Sequence, residues 1–401
     1  MKGTSDLLRI IFRTLLCLIL IMSASLTSPV CEDPPAKRKK LAPGEGIFEH
    51  DQLTPAKGWP LWLKDFSKSK RTQETSGITY IGRDDENRRC FFLVDDVGAI
   101  HLCRVEDNGP DEKGEISLES VSFSKSIFDE LSTNDVWDFE AIAAEPSGLG
   151  AKGLASEIEA FLAVEGRGDK LIEQTRVLKV KLLHTDPALA ESTDKREWRI
   201  ESMGDAIPGA NFWKVLMGSN RGIEGLSASN RFLMLGLESL EKKGVFNTRG
   251  TFLYVYDKVT EQSASIRTII MGIHSITGIC SVGDSITVLM DRNRQRLTLL
   301  EWEENDNEMW VSACHHFPLD LPAPDGFRYH IPSVEGLAID DVGDFWCVTD
   351  PWSGHYEAVG AAPETLHVYL AAEVPMIYRF SGTPIWQAAE LGHTWPSNTK
   401  D

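Results

Sequence analysis

The sequence predicts an all-β fold, a β-propeller of five or six blades in which antiparallel sheets surround a central channel. Three observations lead there. A short motif recurs five times, each copy is followed by a second apolar strand that ends in acid, and a third strand follows in every unit. Such repetition marks an array whose units bury their faces against one another.

The motif copies are Thr75–Thr79, Asp138–Ala143, Gly222–Ser227, Ser275–Cys280 and Ser333–Ala338. The second strands are Phe91–Asp96, Ala160–Glu165, Phe232–Glu238, Ile286–Asp291 and Phe345–Asp350. The third are Ile100–Val105, Thr175–Leu182, Thr251–Tyr256, Arg296–Trp302 and Met376–Phe380. Runs of β-branched and aromatic residues bounded by Gly, Asp and Asn read as strands. Three or four antiparallel strands per unit make a propeller blade. The longest step, from Ala141 to Gly225, carries the stretches Gly148–Ser156 and Thr185–Trp198, both readable as rim loops. The segments 47–70 and 357–380 either complete a sixth blade or close the ring, which would remove exposed sheet edges.

The ends of the chain read differently. Lys2, Arg9 and Arg13 precede an apolar stretch, Thr14–Met22, and then the small residues Ser23–Ser25. That order reads as a signal peptide over residues 1–28, so the chain is expected to be secreted or periplasmic. The apolar run is shorter than the roughly 20 residues a membrane span needs, so no stable membrane insertion is expected after cleavage. Residues 29–46, with Pro34, Pro35 and the basic run Lys37–Lys40, read as a disordered linker. The propeller is expected over 47–385, and 386–401 form a C-terminal tail. A net charge of −19 argues against nucleic acid as a partner and suits a protein that holds divalent cations. The cysteines left after cleavage include no CxxC pair, which excludes the usual zinc and thioredoxin signals; Cys90 and Cys103 fall on one hairpin.

The hairpin arithmetic brings two acidic positions of each blade to one rim. In the third unit, Glu224 faces about residue 235 and Glu238 lies just beyond; in the fifth, Glu335 faces about residue 348 and Asp350 follows. With the motif strands innermost, Glu140, Glu224 and Glu335 surround the axis. Glu165, Glu238, Asp291, Asp350 and the pair Asp95 and Asp96 form a second tier. Carboxylates this close together either take up protons or hold cations, and an all-oxygen set suits Ca²⁺. The other reading is that Glu-Gly only starts a strand, its carboxylate bonded to nearby backbone N–H groups. Arg221 and Arg292 lie beside the acids and could grip an anion in a bidentate fork or neutralise a neighbouring carboxylate. His315 and His316 are adjacent on a strand, so their side chains point to opposite faces. Gly283–Ile286 mimics the start of a GDS-type esterase but occupies a hairpin turn, and the sequence has neither a GxSxG elbow nor HExxH.

At these motifs, over roughly residues 70–381, the chain resembles the bacterial phytase-like propellers ("esterase-like activity of phytase"), which are similar to the SdiA-regulated propeller family. Ser76-Gly77-Ile78, Asp138-Phe139-Glu140, Asn220–Leu226 and Val334–Ala338 with Asp350 carry the resemblance. It implies an exported, calcium-binding propeller with phosphoester or ester hydrolase activity. Ala141 stands where the family has glycine, and Thr277 where it has an acid. Two functions stay open: a Ca²⁺-dependent hydrolase acting on a small anionic ester, and a non-catalytic propeller that binds an extracellular protein or glycan at its rim.

Overall fold

Five antiparallel sheets, each starting on one copy of the repeated motif, form a five-bladed β-propeller in the computed structural model. The structure describes residues 46–389 except 66–69, 73, 107–113, 128, 130–137, 146–153, 166–174, 185–197, 208–221, 238–250, 306–307, 325–327, 330–332, 351–357 and 360–373. The expected signal peptide, most of the linker and the tail beyond Ala389 lie outside these residues, as do most of the two rim stretches.

Blade 1 consists of Thr75–Arg83, Arg89–Asp95, Ile100–Glu106 and Glu115–Ser120 in meander order. Blade 2 consists of Asp138–Ala144, Glu157–Glu165, Arg176–His184 and Trp198–Asp205, edged by the short parallel strand Ser122–Phe123. Blade 3 is Ile223–Ala228, Phe232–Leu237, Phe252–Asp257 and Ser263–Arg267. Blade 4 is Ile276–Val282, Ile286–Asp291, Arg296–Asn305 and Glu308–Pro318. Blade 5 is Ser333–Ile339, Phe345–Asp350 and Met376–Phe380, with Leu61–Trp62 as its outermost strand.

That last strand answers the question of blade number. Among the described residues of 47–70 and 357–380 there is no sixth blade. Leu61–Trp62 comes from the N-terminal side of the chain and pairs with Met376–Phe380, so the first and last parts of the propeller share one sheet. Ile47–Glu49 instead runs parallel to the outer strand of blade 4.

Burial follows distance from the axis. Arg89–Asp95 and Ile223–Ala228 are buried throughout, whereas the outer strand Ser263–Arg267 is almost wholly exposed. Inner strands therefore read as continuous apolar runs rather than alternating ones, because both faces meet neighbouring blades. Each of the five gaps between blades has its own apolar core; Phe92, Ile142 and Leu162 lie between blades 1 and 2, and Val288, Phe345 and Tyr378 between blades 4 and 5. Cys90 and Cys103 belong to different cores, on opposite faces of blade 1, and both are free thiols, so their shared hairpin creates no bridge.

Polar ties join the blades at the ends of the inner hairpins. Arg89 Nε donates to Asp340 Oδ2 at 2.7 Å across the seam between blades 1 and 5, and both side chains are buried. Trp346 Nε1 donates to the same carboxylate. Asp284 accepts from Ser229 Oγ at 2.6 Å between blades 4 and 3, and Lys258 of blade 3 pairs with Glu145 of blade 2.

Candidate functional site

All five inner hairpins break register at the same place. The ladder skips Ser76, Glu140, Glu224 and Thr277, and in blade 5 it skips Glu335 together with Gly336. A β-bulge sets an extra residue against the partner strand and re-aims a side chain. Regular pairing, as expected from the hairpin arithmetic, would set Glu224 opposite a residue of the second strand. Instead Ile223 pairs with Leu237 and Gly225 with Gly236, leaving Glu224 outside the ladder. The side chains of Ser76, Glu140, Glu224, Thr277 and Glu335 are all buried, and Thr277 Oγ1 donates to the Val334 carbonyl of the next inner strand at 2.8 Å.

The residue after the bulge must let the neighbouring strand approach. A Cβ at Gly336 would lie 2.6 Å from the Ile78 nitrogen and 2.9 Å from Gly77 Cα; one at Gly278 would lie 2.8 Å from the Glu335 carbonyl oxygen. The Glu-Gly and Thr-Gly pairs are thus a polar group released from the ladder, followed by a contact between backbones. At Ala141 the one methyl group packs in the core between blades 2 and 3.

The junction of blades 1 and 2 concentrates the acids. Ligand oxygens of Asp96, Asp138 and Glu140 lie within 4.8 Å of one another. Two oxygens held by one ion at about 2.4 Å can be at most about 4.8 Å apart, and this set keeps within that bound. Ser76 Oγ lies within hydrogen-bond reach of Asp96 Oδ1 and of the Glu74 carbonyl, and its single hydrogen serves one of them at a time. Burial, followed by the charges of Asp350, Asp138 and Glu335, pushes the Asp96 carboxyl up to about 9 against the Ser76 bond. Burial first, then the charges of Glu224, Asp96, Glu165 and Asp138, holds Glu140 well above the ordinary carboxylate range. Such a group takes a proton at neutral pH unless a cation stands in for it.

The sequence-predicted residues divide between this junction and the rest of the ring. Glu140 belongs to the three-carboxylate group, and Glu224 and Glu165 supply charge around it. Asp350 is raised to about 7 by burial, then by Glu335 and Glu74, with Arg292 pulling the other way. Glu335 accepts from Arg292 Nη1 at 2.5 Å and from Ser333 Oγ at 2.8 Å, so the blade 4–5 side of the ring carries its own counter-charge. Asp291 lies apart from the three acids. It accepts from the backbone N–H groups of His274 and Ser275 and faces Arg296, with Nε at 3.4 Å. Arg221 and Glu238 lie outside the described residues. Asp138 carries no role in the sequence reading, and its place two residues before Glu140 on the same strand is the signal that could have found it.

Neither a family profile nor a curated protein sequence matches this chain. Solved structures do. A PQQ-bound aldose sugar dehydrogenase from Streptomyces coelicolor is similar at 11% identity and a TM-score of 0.36, over 81% of this chain and 99% of that one. A proposed oxidoreductase (glucose dehydrogenase) from Thermus thermophilus is similar at 9% identity and a TM-score of 0.36, over 80% and 99%. The polysaccharide lyase Uly1 follows at 7% identity and a TM-score of 0.32, over 80% of this chain and 61% of that one.

Proposed function

We propose that this chain is an exported, calcium-binding propeller of the phytase-like kind, which hydrolyses a small anionic ester or phosphoester at the acidic mouth of its channel. The observation that carries the reading is the close group of Asp96, Asp138 and Glu140, buried enough to be unfavourable as three bare anions. These three carboxylates would hold the ion, with Ser76 orienting Asp96 through its hydroxyl. A bound Ca²⁺ would polarise the ester oxygen and lower the pKa of a coordinated water. Arg292, from the turn after Asp291, would steady the anionic end of the substrate by exchanging part of its contact with Glu335. Export rests on the basic, then apolar, then small-residue order of the first 28 residues.

One observation favours the non-catalytic alternative. Thr277 stands at the bulge of blade 4 in place of an acid, and both it and Arg292 already have partners within the ring. A rim-binding propeller stabilised by the cation would then need nothing more.

The test is metal content and thermal unfolding of the mature protein with and without EGTA, followed by an aryl phosphate and aryl ester screen of the same samples. Bound calcium, a melting point lowered by EGTA, and turnover abolished in Glu140→Gln support the hydrolase. Calcium-dependent melting without turnover supports the binding propeller. Metal-free protein that ignores EGTA overturns the cation site.

A further inference from the structure

A second titratable group lies away from the channel, at the outer edge of blade 4. There the segment 46–53 runs along the outermost strand, Glu308–Pro318, before the chain crosses to close blade 5. Ile47, Phe48 and Glu49 align in parallel with Cys314, His315 and His316. The Cys314 N–H donates to the Gly46 carbonyl, the His50 N–H to the His316 carbonyl, and the Leu53 N–H to the Pro318 carbonyl, at 2.7, 2.9 and 2.8 Å. A few backbone bonds do not hold a short edge segment firmly, and the side chains decide whether it stays.

Those side chains form a chain of three. Glu301 Oε1 lies 3.0 Å from His315 Nε2, and His315 Nδ1 lies 3.0 Å from His50 Nε2. The two imidazole rings are inclined by only 21°, with centroids 5.2 Å apart. That separation is about the sum of the bond and two ring radii, so the facing nitrogens point along one line and leave no room for an ion between them. Phe48 stacks on His315 and Phe317 on His50, which fixes both rings. His316, the next residue, faces the interior and bonds Thr298 and the Met271 carbonyl. The adjacent histidines therefore serve opposite faces, as expected from the strand.

The proton inventory sets the behaviour of this chain. With Glu301 ionised, His315 carries its proton on Nε2, and its bare Nδ1 accepts from His50 Nε2–H. One added proton leaves both bonds intact, since either ring can hold it while the nitrogens between the rings share a single hydrogen. With both imidazoles protonated, two N–H groups face each other on two like charges. Burial, and then His315, hold His50 below the ordinary imidazole range, while Glu49 and Asp51 act the other way. The remaining charged neighbours are Glu301 on the adjacent strand, His316 behind the sheet, and Arg296, whose Nη1 lies 3.5 Å from Glu49.

We propose that Glu301, His315 and His50 form an acid-sensitive latch that holds the segment 46–53 against blade 4 and releases it when both imidazoles are protonated. Release uncovers the backbone edge of Glu308–Pro318, which is then free to pair with a further strand.

The experiment is hydrogen exchange of the full chain read by mass spectrometry, corrected for intrinsic rates, between about pH 7.5 and 4.5. We expect protection of peptides covering 46–53 to fall about tenfold or more below about pH 5.5, while the inner strand Ile286–Asp291 stays protected. In His50→Phe and in His315→Phe the ring stacking is kept and the titration removed, so protection of the segment should vary less than about threefold over that range. Three results overturn the proposal. They are a segment that stays protected throughout, one that opens only together with Ile286–Asp291, and one that opens equally in both phenylalanine variants.

Discussion

Replacing Asp96 by asparagine tests the electrostatics of the channel mouth most directly. The side chain keeps its shape and can still accept from Ser76, but it no longer carries charge next to Asp138 and Glu140. Burial and like charges raise this carboxyl from 3.8 to about 9. A group raised on folding releases its proton more readily from the unfolded chain. Its cost is therefore absent below the unfolded value, grows as pH rises, and is complete only above the folded value. At neutral pH the chain stands about three pH units into that window, which corresponds to about 4 kcal/mol if Asp96 titrated alone. Glu140 and Asp138 share the same protons, so the part removed by Asp96→Asn is on the order of 2 kcal/mol. In EGTA the variant should therefore melt a few degrees above the parent, and the difference should widen from about pH 6 to about pH 8. In calcium the order should reverse. Binding to the folded state alone adds about 2.7 kcal/mol at a hundred times the dissociation constant, and the variant forfeits it. Thermal unfolding at both pH values, in EGTA and in calcium, gives all four comparisons. A variant that melts below the parent in EGTA would show that Asp96 is a stabilising hydrogen-bond acceptor. A variant that keeps the full calcium shift would place the ion elsewhere.

Three further outcomes follow from the same structure. Gly278→Ala puts a methyl group 2.8 Å from the backbone of Glu335 and Leu337, so the inner strands of blades 4 and 5 must separate; a loss of about 1–3 kcal/mol in chemical denaturation is expected. Asp340→Ala removes the buried carboxylate that pairs with Arg89 at the seam where blade 5 meets blade 1, and should cost about 3–5 kcal/mol, whereas Asp341→Ala, on the more exposed pair with Arg83, should cost less than about 1 kcal/mol. Burial, then Arg296, lowers His316 from 6.5 to about 4. The neutral imidazole is thus the folded form, its contribution is complete above pH 6.5 and is lost as pH falls towards 4, and urea midpoints should drop over that range by the equivalent of about 3 kcal/mol. His316→Gln should flatten that slope.

Much of the fold is legible in the residues because a propeller repeats. Five copies of one motif, each followed by an apolar strand ending in acid, mark a propeller of five or six blades, and the structure has five. Met376–Phe380 has its expected bounds, and the other third strands differ only by a residue or a few at their ends. Ring closure was less legible, since Leu61–Trp62 is two residues long and owes its strand to a partner more than three hundred positions away. The site divides in the same way. The acids of the repeat are visible, and so is their place at one end of the hairpins. Which of them meet depends on the bulges and on the neighbouring blade.

The sequence by itself determined the all-β repeat, the glycine that follows the released residue in every blade but the second, and the acidic character of the inner rim, because these depend on local pattern and composition. Tertiary structure decided which acids act together. Asp96, just past the second strand of blade 1, meets Asp138 and Glu140 of blade 2, while Glu335 is drawn to Arg292 of blade 4. It likewise brought His50 to His315, which are 265 positions apart. The physical reason is that a carboxylate or imidazole interacts over a few ångströms of space. Only the closure of five blades about one axis turns distant positions in the chain into neighbours.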